Sequence, residues 1–341
     1  MAHQGRRLPT QHATWLDSAW RCLTPPERQA PGQAGLPALA YSAPRPWRLT
    51  LPGAFETREP MDLSWDSAPE LADMAQALAR QSRAVCLPRV PADSPSVTAL
   101  RQAFAGRGMT LIRPAIGSPY IDLDASWADP RQKFNAGRRS DFRRAERHAE
   151  KLGGLRFEIH SQTTAAQLDH LLDEAYAVEA RSWKGQAGTA LALDPQLGPF
   201  HRAHAHAAMQ AGLLRLAFMR VGGQAVGMQI ALEWDHSIWL LKIGYDAAFS
   251  PCSPGNLLMM HTIADAAQRG LKAYEFLGSP APWTAFWTTS LRDYVNIRFF
   301  PWRLRGQLAL AQDMSQAMHA RLARRRQPGH DAAHGDAQEV T

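Results

Sequence analysis

The second half of the chain carries the clearest pattern of apolar and polar positions. Across 164–183, Leu168, Leu171, Leu172, Ala175 and Val178 recur at helical spacing and predict a helix with one buried face. A second helix is predicted at about 199–210. Three strands follow at 213–220, 224–234 and 237–245, and the links between them, Gly222-Gly223 and Asp235-His236, are short enough to favour antiparallel hairpins. In the third strand Trp239, Leu241, Ile243 and Tyr245 alternate with Ile238, Leu240 and Lys242. Both faces read as buried, which predicts a central strand. A helix over 254–269, ended by Gly270, and a strand over 272–277 complete this half.

The first half alternates more loosely. A helix is predicted at 69–80, an apolar strand at 84–90, a helix at 96–106, and strands at 109–113 and 120–123. A long basic helix over 130–152, stopped by Gly153-Gly154, then gives way to a fresh strand at 155–160. The domain boundary is placed at this stop. Residues 1–35 and 327–341 are polar, rich in residues that break structure and without period, and both are expected to be disordered. The expected organisation is a degenerate domain over 36–153, a second domain over 154–303, an Arg-rich helix over 304–326 and the tail.

With 341 residues, 45% of them apolar, the chain has enough material for two cores. No apolar run approaches the roughly 20 residues that a membrane helix needs, and the N-terminus lacks the apolar stretch of a signal peptide. The expectation is a cytoplasmic protein with no integral membrane segment. Cys22, Cys86 and Cys252 are too far apart for a metal motif and too few for a disulfide framework. The formal charge of +7 is concentrated in 131–151 and 303–326. In the first of these stretches the arginines are interleaved with Asp141, Glu146 and Glu150, which fits either a solvated helix face or a groove for an anionic partner.

One helix start stands out. Ser253 is placed as an N-cap, Pro254 suits the first helical position, and Gly255 leaves room for close approach. The N–H groups of Gly255, Asn256 and Leu257, together with the positive end of the helix dipole, would seat a diphosphate. An ordinary capped helix is the competing reading. Context favours the seat, because a central strand leads into it and another strand follows the helix.

The run KIGYDAAFSPCSPGNLLMMHTIADAAQRGLKAYEFLG over 242–278 resembles the acetyltransferase-like family of the GNAT superfamily that includes the cellulose-biosynthesis protein CelD and lies close to the FemAB-like transferases. The segment EARSWKG at 179–185, the basic helix ending RRSDFRRAERHAEKLGG and FWTT at 286–289 agree with it. The resemblance covers roughly residues 119–300. It implies an α+β fold of tandem GNAT-like domains, each a mixed, mostly antiparallel sheet flanked by helices, with acetyl-CoA or another acyl-CoA held at Ser253, Pro254, Gly255, Asn256 and Leu257 of the second domain. No metal is expected.

Acyl transfer to an amine needs a base for the attacking nitrogen and a proton for the departing thiolate. Glu275, in the apolar strand AYEFL, is the candidate base; the alternative is a buried ion pair with Lys242 of the neighbouring strand. Tyr245 is the candidate proton donor, and Asp246 a loop anchor or substrate contact. The resemblance puts Glu179, Trp183, Lys184 and Trp287 around the acceptor, although a helix-terminal ion pair around a tryptophan would also explain the first three. His201, His204 and His206 lack a carboxylate at helical spacing and give a weak metal signal. Cys252 has no histidine partner in any motif. The leading expectation is an acyl-CoA-dependent N-acyltransferase acting on a small amine or amino sugar, in polysaccharide or cell-envelope biosynthesis. Two others stand beside it. One is a FemAB-like transferase that takes its acyl group from aminoacyl-tRNA, bound by Arg138, Arg139, Arg143, Arg144 and Arg147. The other is a non-catalytic scaffold whose segment 307–326 binds nucleic acid or an anionic membrane surface.

Overall fold

The computed structural model describes residues 7–32, 36–42, 47–182 and 194–326. In chain order, helix α1 (Ala13–Leu23) precedes strands β1 (Ala40–Tyr41) and β2 (Arg48–Thr50), helix α2 (Ala68–Ala79), strand β3 (Ala84–Pro91), helix α3 (Pro95–Phe104) and strand β4 (Gly108–Asp122). Then come helix α4 (Ala136–Lys151), strand β5 (Leu155–His160), helices α5 (Ala165–Ala180) and α6 (Leu197–Gln210), and strands β6 (Leu214–Val221), β7 (Gln224–Trp234) and β8 (Ser237–Tyr245). Helix α7 (Pro254–Gln268), strands β9 (Ala273–Glu275) and β10 (Leu291–Pro301) and helix α8 (Leu304–Arg326) complete the fold. No helix among the described residues is long and apolar enough to cross a membrane.

The chain forms two compact units: Met1–Gly117 with Gly278–Phe286 and Leu291–Thr341, and Ser118–Leu277 with Trp287–Ser290. Each is a mixed, mostly antiparallel sheet flanked by helices. The division falls at residue 117 rather than at 153. Helix α4 packs against β5 and against the turn Ala247–Cys252, so the basic segment belongs to the second unit. That segment is also not one helix. A short turn at Pro130–Lys133 comes first, and Asn135 then caps α4 by accepting the Arg138 N–H at 2.9 Å. The two strands expected at 109–113 and 120–123 are one, β4, whose earlier residues lie in the first unit and whose last residues lie in the second.

In the first unit β2 antiparallels β1, runs parallel to β3 through the crossover helix α2, and β3 antiparallels β10. Order begins earlier than the composition of 1–35 suggests. Helix α1 buries Trp15, Ala19 and Leu23 along one face, and these apolar contacts offset the ordering cost that the polar residues around them cannot. Asp62 is enclosed in this unit, accepting hydrogen bonds from the Ser94 hydroxyl and from the Leu63 N–H at 2.7 Å. Burial pushes its pKa up to about 6 against the opposing pull of those bonds. The neutral acid is therefore favoured in the folded state, and its contribution to stability is full below the unfolded carboxylate range and lost as pH rises through about 6. Asp62→Asn is expected to raise the melting temperature at pH 7.5, by the equivalent of up to roughly 3 kcal/mol. Melting curves should show the gain vanish near pH 4.

In the second unit the sheet runs β4-β9-β8-β7-β6-β5. All its pairings are antiparallel except β8 with β9, which are joined through the crossover helix α7. Arg220 of β6 ties α5 to the sheet by forking onto both carboxylate oxygens of Glu174 at 2.7 and 2.8 Å, while its Nε reaches Glu158 of β5 at 2.8 Å. Helix α6 is tied to α5 through Asp169, which accepts from Arg202 and faces the His206 ring at 2.9 and 2.8 Å.

Candidate active site

Strand β8 meets β9 over only three residues, with Ser237, Ile238 and Trp239 opposite Ala273, Tyr274 and Glu275. Beyond that point β8 continues to Tyr245 while β9 has ended, and the rest of β8 is only half-buried from Lys242 to Tyr245. The open edge between the two parallel strands is where the candidate residues gather. Ligands in sheets with parallel strands favour such carboxyl-end crevices.

The faces of β8 are not those that simple alternation gives. Lys242 pairs with Ile230, but Leu240 pairs with Ala231, so Leu241 is an extra residue and β8 carries a bulge. Side chains before and after it therefore swap faces. Tyr245 lies on the α7 face, where its ring stands 3.5 Å from the position a Cβ on Gly255 would take. Gly244 lies on the opposite face, and a Cβ there would sit 3.0 Å from the Glu179 Cα. Helix α5 thus crosses β8 so closely that any side chain at 244 would require it to give way.

Helix α7 is held over the sheet by a buried polar cluster. The Thr262 hydroxyl lies 2.9 Å from Gln229 Oε1 of β7 and 3.0 Å from the Tyr274 hydroxyl of β9. Burial pushes the Tyr274 phenol far up, so it stays a neutral hydrogen-bonding group. At the start of α7, Ser253 does occupy the N-cap position, yet it is in the left-handed conformation with φ 45° and its side chain makes no capping bond. Its carbonyl instead accepts the Leu257 N–H at 3.0 Å, which removes Leu257 from the expected donors. The N–H groups of Gly255 and Asn256 remain, as orphans of the first turn.

The corresponding crossover helix of the first unit makes the contrast. At the start of α2, the Ser67 hydroxyl accepts the Glu70 N–H at 3.3 Å, and Glu70 reaches back to the Asp66 N–H at 2.8 Å. That helix start is closed by its own side chains. The start of α7 carries no such side-chain cap, and it has the residues that would suit a diphosphate.

The other expected residues divide sharply. Glu275 is fully buried, on the opposite face from Tyr274 and beside Trp239. Lys242 is not its register partner: it lies three residues further along β8 and makes no ion pair among the described residues. Its titratable neighbour is instead His201 of α6, a neutral imidazole whose pKa is held well below the ordinary value by burial first and then by Lys242 and His204. Glu179 is buried at the end of α5. Trp183 and Lys184 lie outside the described residues. Asp246 is fully engaged in its loop. It accepts from Arg181 at 2.6 Å and from the Ala248 N–H at 3.0 Å, and its own N–H bonds the Val226 carbonyl at 2.8 Å. Trp287 is buried edge-on against Phe134, with ring centroids 5.4 Å apart, and Phe134 in turn packs on Phe142 of α4.

The histidine trio is spread over separate tasks, His201 and His204 buried and His206 on Asp169. Cys252 is buried, and burial pushes its thiol up. Arg181 and His201 were not among the expected site residues. Arg181 stands within EARSW, but its partner Asp246 is 65 residues away, so no local pattern exposes the pair. Gly244 and Gly227, by contrast, could have been found as glycines inside an apolar strand, which mark close backbone approach.

Residues 136–284 match the family model described as Acetyltransferase (GNAT) domain. Among solved structures, FemX aligns over 91% of this chain and 95% of its own, with a TM-score of 0.59 at 11% identity. A conserved protein of unknown function from Bacteroides thetaiotaomicron VPI-5482 aligns over 87% of this chain and 93% of its own, with a TM-score of 0.55 at 9% identity. At such identities the likeness is one of fold. No curated protein matches the sequence.

Proposed function

With residues 136–284 forming a GNAT acetyltransferase domain and the chain as a whole built like tandem GNAT-like transferases, we propose that it is an acyl-CoA-dependent N-acyltransferase acting on a small amine or amino sugar. The observation that carries this reading is the start of α7, uncapped by any side chain beside the open edge of β8, set against the self-capped start of α2. GNAT domains use acyl-CoA, which supplies an acyl group already activated as a thioester. Gly255 and Asn256 would offer their N–H groups to its diphosphate, with Ser253 and Pro254 shaping the approach and Leu257 anchoring the turn. Tyr245, against Gly255, would give a proton to the departing thiolate. Glu275 takes the proton of the attacking amine from the other face. Lys242 and Glu179 line the acceptor side, and Asp246 holds the loop that carries α7. Polysaccharide or cell-envelope biosynthesis is the setting we assign to this chemistry.

Titration calorimetry with acetyl-CoA tests the seat. Saturable binding is expected, and Gly255→Glu should weaken it by about a hundredfold or more by placing a like charge at the diphosphate. No heat with any acyl-CoA, at any salt, would overturn the reading.

A second donor has one specific observation in its favour. Arg143, Arg147 and Lys151 stand exposed at four-residue spacing along α4, roughly 6 Å apart, and none has an ion pair among the described residues. FemX, a FemAB-like transferase, shares the fold. If aminoacyl-tRNA is the donor, the protein should ignore acyl-CoA and bind tRNA with steep salt dependence, which Arg143→Ala with Arg144→Ala and Arg147→Ala should flatten.

A further inference from the structure

Helix α8 ends the first unit, packed on β10 and β3 through Ala309, which is fully buried with Ala84 and Phe300. Gly306 is buried against Pro301, where an added Cβ would meet a carbonyl oxygen at 2.3 Å. The face turned inward therefore has its partner. The outward face has none, and it is apolar. Leu304 is 77% exposed, Met314 61% and Met318 62%, with Leu308 and the preceding Trp302 also exposed. Leu304, Leu308, Ala311, Ser315 and Met318 fall at spacings of three and four, so they form one stripe, with Met314 beside it. Nowhere else among the described residues do so many large apolar side chains stand exposed on one element.

Charge decides what such a stripe would meet. From Trp302 to Arg326 the sequence holds Arg303, Arg305, Arg321, Arg324, Arg325 and Arg326 and a single acid, Asp313. That acid is turned inward and occupied by Arg48 and Arg298. The exposed Arg303 and Arg305 thus stand beside the apolar side chains of the outward face, and the sequence of this helix adds further cations and no second carboxylate to repel an anionic surface. A second copy of the same helix would bring arginines against arginines. A nucleic acid would leave Leu304, Met314 and Met318 in water.

We propose that α8 is an interfacial helix that docks the protein on an anionic lipid bilayer, lying in the headgroup plane with the Leu304–Met318 stripe in the acyl boundary and Arg303 and Arg305 on the phosphates. This site is on a different element from the acyl-transfer edge and does not depend on that assignment. Its consequence is that acyl transfer would be carried out at a membrane surface.

Co-sedimentation of the full chain with extruded vesicles tests it. Binding is expected to phosphatidylcholine vesicles containing about a quarter phosphatidylglycerol, with little to phosphatidylcholine alone. Leu304→Ser with Met314→Ser and Met318→Ser removes only exposed side chains, so folding, checked by the melting temperature, should be kept while the partition coefficient falls by roughly tenfold or more. Arg303→Glu with Arg305→Glu should abolish the preference for the anionic vesicles. The proposal is overturned if the wild-type chain does not sediment with the anionic vesicles, or if the triple serine variant binds them as well as wild type does. It is equally overturned if size-exclusion chromatography shows a dimer that the serine variant dissolves, with vesicles binding neither form.

Discussion

Glu275→Gln is expected to leave acyl-CoA affinity within about twofold of wild type and to lower kcat by two to four orders of magnitude, roughly the range for removal of a positioned base. Glu275 ends the short strand β9, fully buried, between Tyr120 of β4 and Trp239 of β8. Glutamine keeps the volume and one carbonyl acceptor, so the packing around Trp239 should survive, but the amide cannot take up a proton. The register makes the prediction sharp. Tyr274, one residue earlier, points to α7 and is tied to Thr262, so Glu275 faces the side on which α5 and α6 lie. The proposed cofactor seat is on the α7 side. A variant changed at Glu275 should therefore separate turnover from cofactor binding, read as kcat by thiol release and Kd by calorimetry. If instead kcat is unchanged and the melting temperature falls, Glu275 serves the buried core and the base is elsewhere, with the His201 ring beside Lys242 the next group to change.

What the sequence made legible was local. The three hairpin strands, the crossover helix and the strand after it are written in periods of two and 3.6 and in turn residues that act on their immediate neighbours. Features that depend on distant residues were not legible. The bulge at Leu241 is invisible to a count of alternating residues, because one inserted position shifts the faces without altering composition. The left-handed Ser253 is a backbone state set by the loop leading into α7, and serine in that position reads as an ordinary cap. Helix α1 is a different case. Trp15, Ala19 and Leu23 recur four apart, so its signal was present, but a polar composition around it reads as disorder when weighed as a whole. For the candidate site, the helix start at Pro254, Gly255 and Asn256 was legible because helix-start chemistry is local. Asp246 was readable only as a turn residue, since what fixes its role is Arg181, far off in the chain.

The crossing of α5 over β8 gives the second large effect. Gly244→Val is expected to destabilise the second unit by about 1–3 kcal/mol and to abolish turnover even at temperatures where the protein remains folded. A Cβ at 244 would meet the Glu179 Cα at 3.0 Å and its Cβ at 3.2 Å, and the first of these is backbone, which cannot swing aside. Helix α5 must move as a body. It is not free to do so, because Arg220 fixes it to β6 through Glu174, and Asp169 fixes it to α6. The displacement therefore falls on its C-terminal end, Glu179 to Arg181, and Arg181 is the residue that holds Asp246 and with it the loop before α7. Gly255→Ala provides the control. A Cβ there makes only an ordinary 3.5 Å contact with Tyr245, so its melting temperature should stay near wild type. Thermal melts of the two variants, followed by turnover assays and acetyl-CoA calorimetry on each, check the chain of cause. Gly244→Val should lose stability and turnover together, and Gly255→Ala should lose affinity alone. A Gly244→Val chain that melts like wild type would show that α5 can retreat from β8, and that the glycine is not what sets the distance between them.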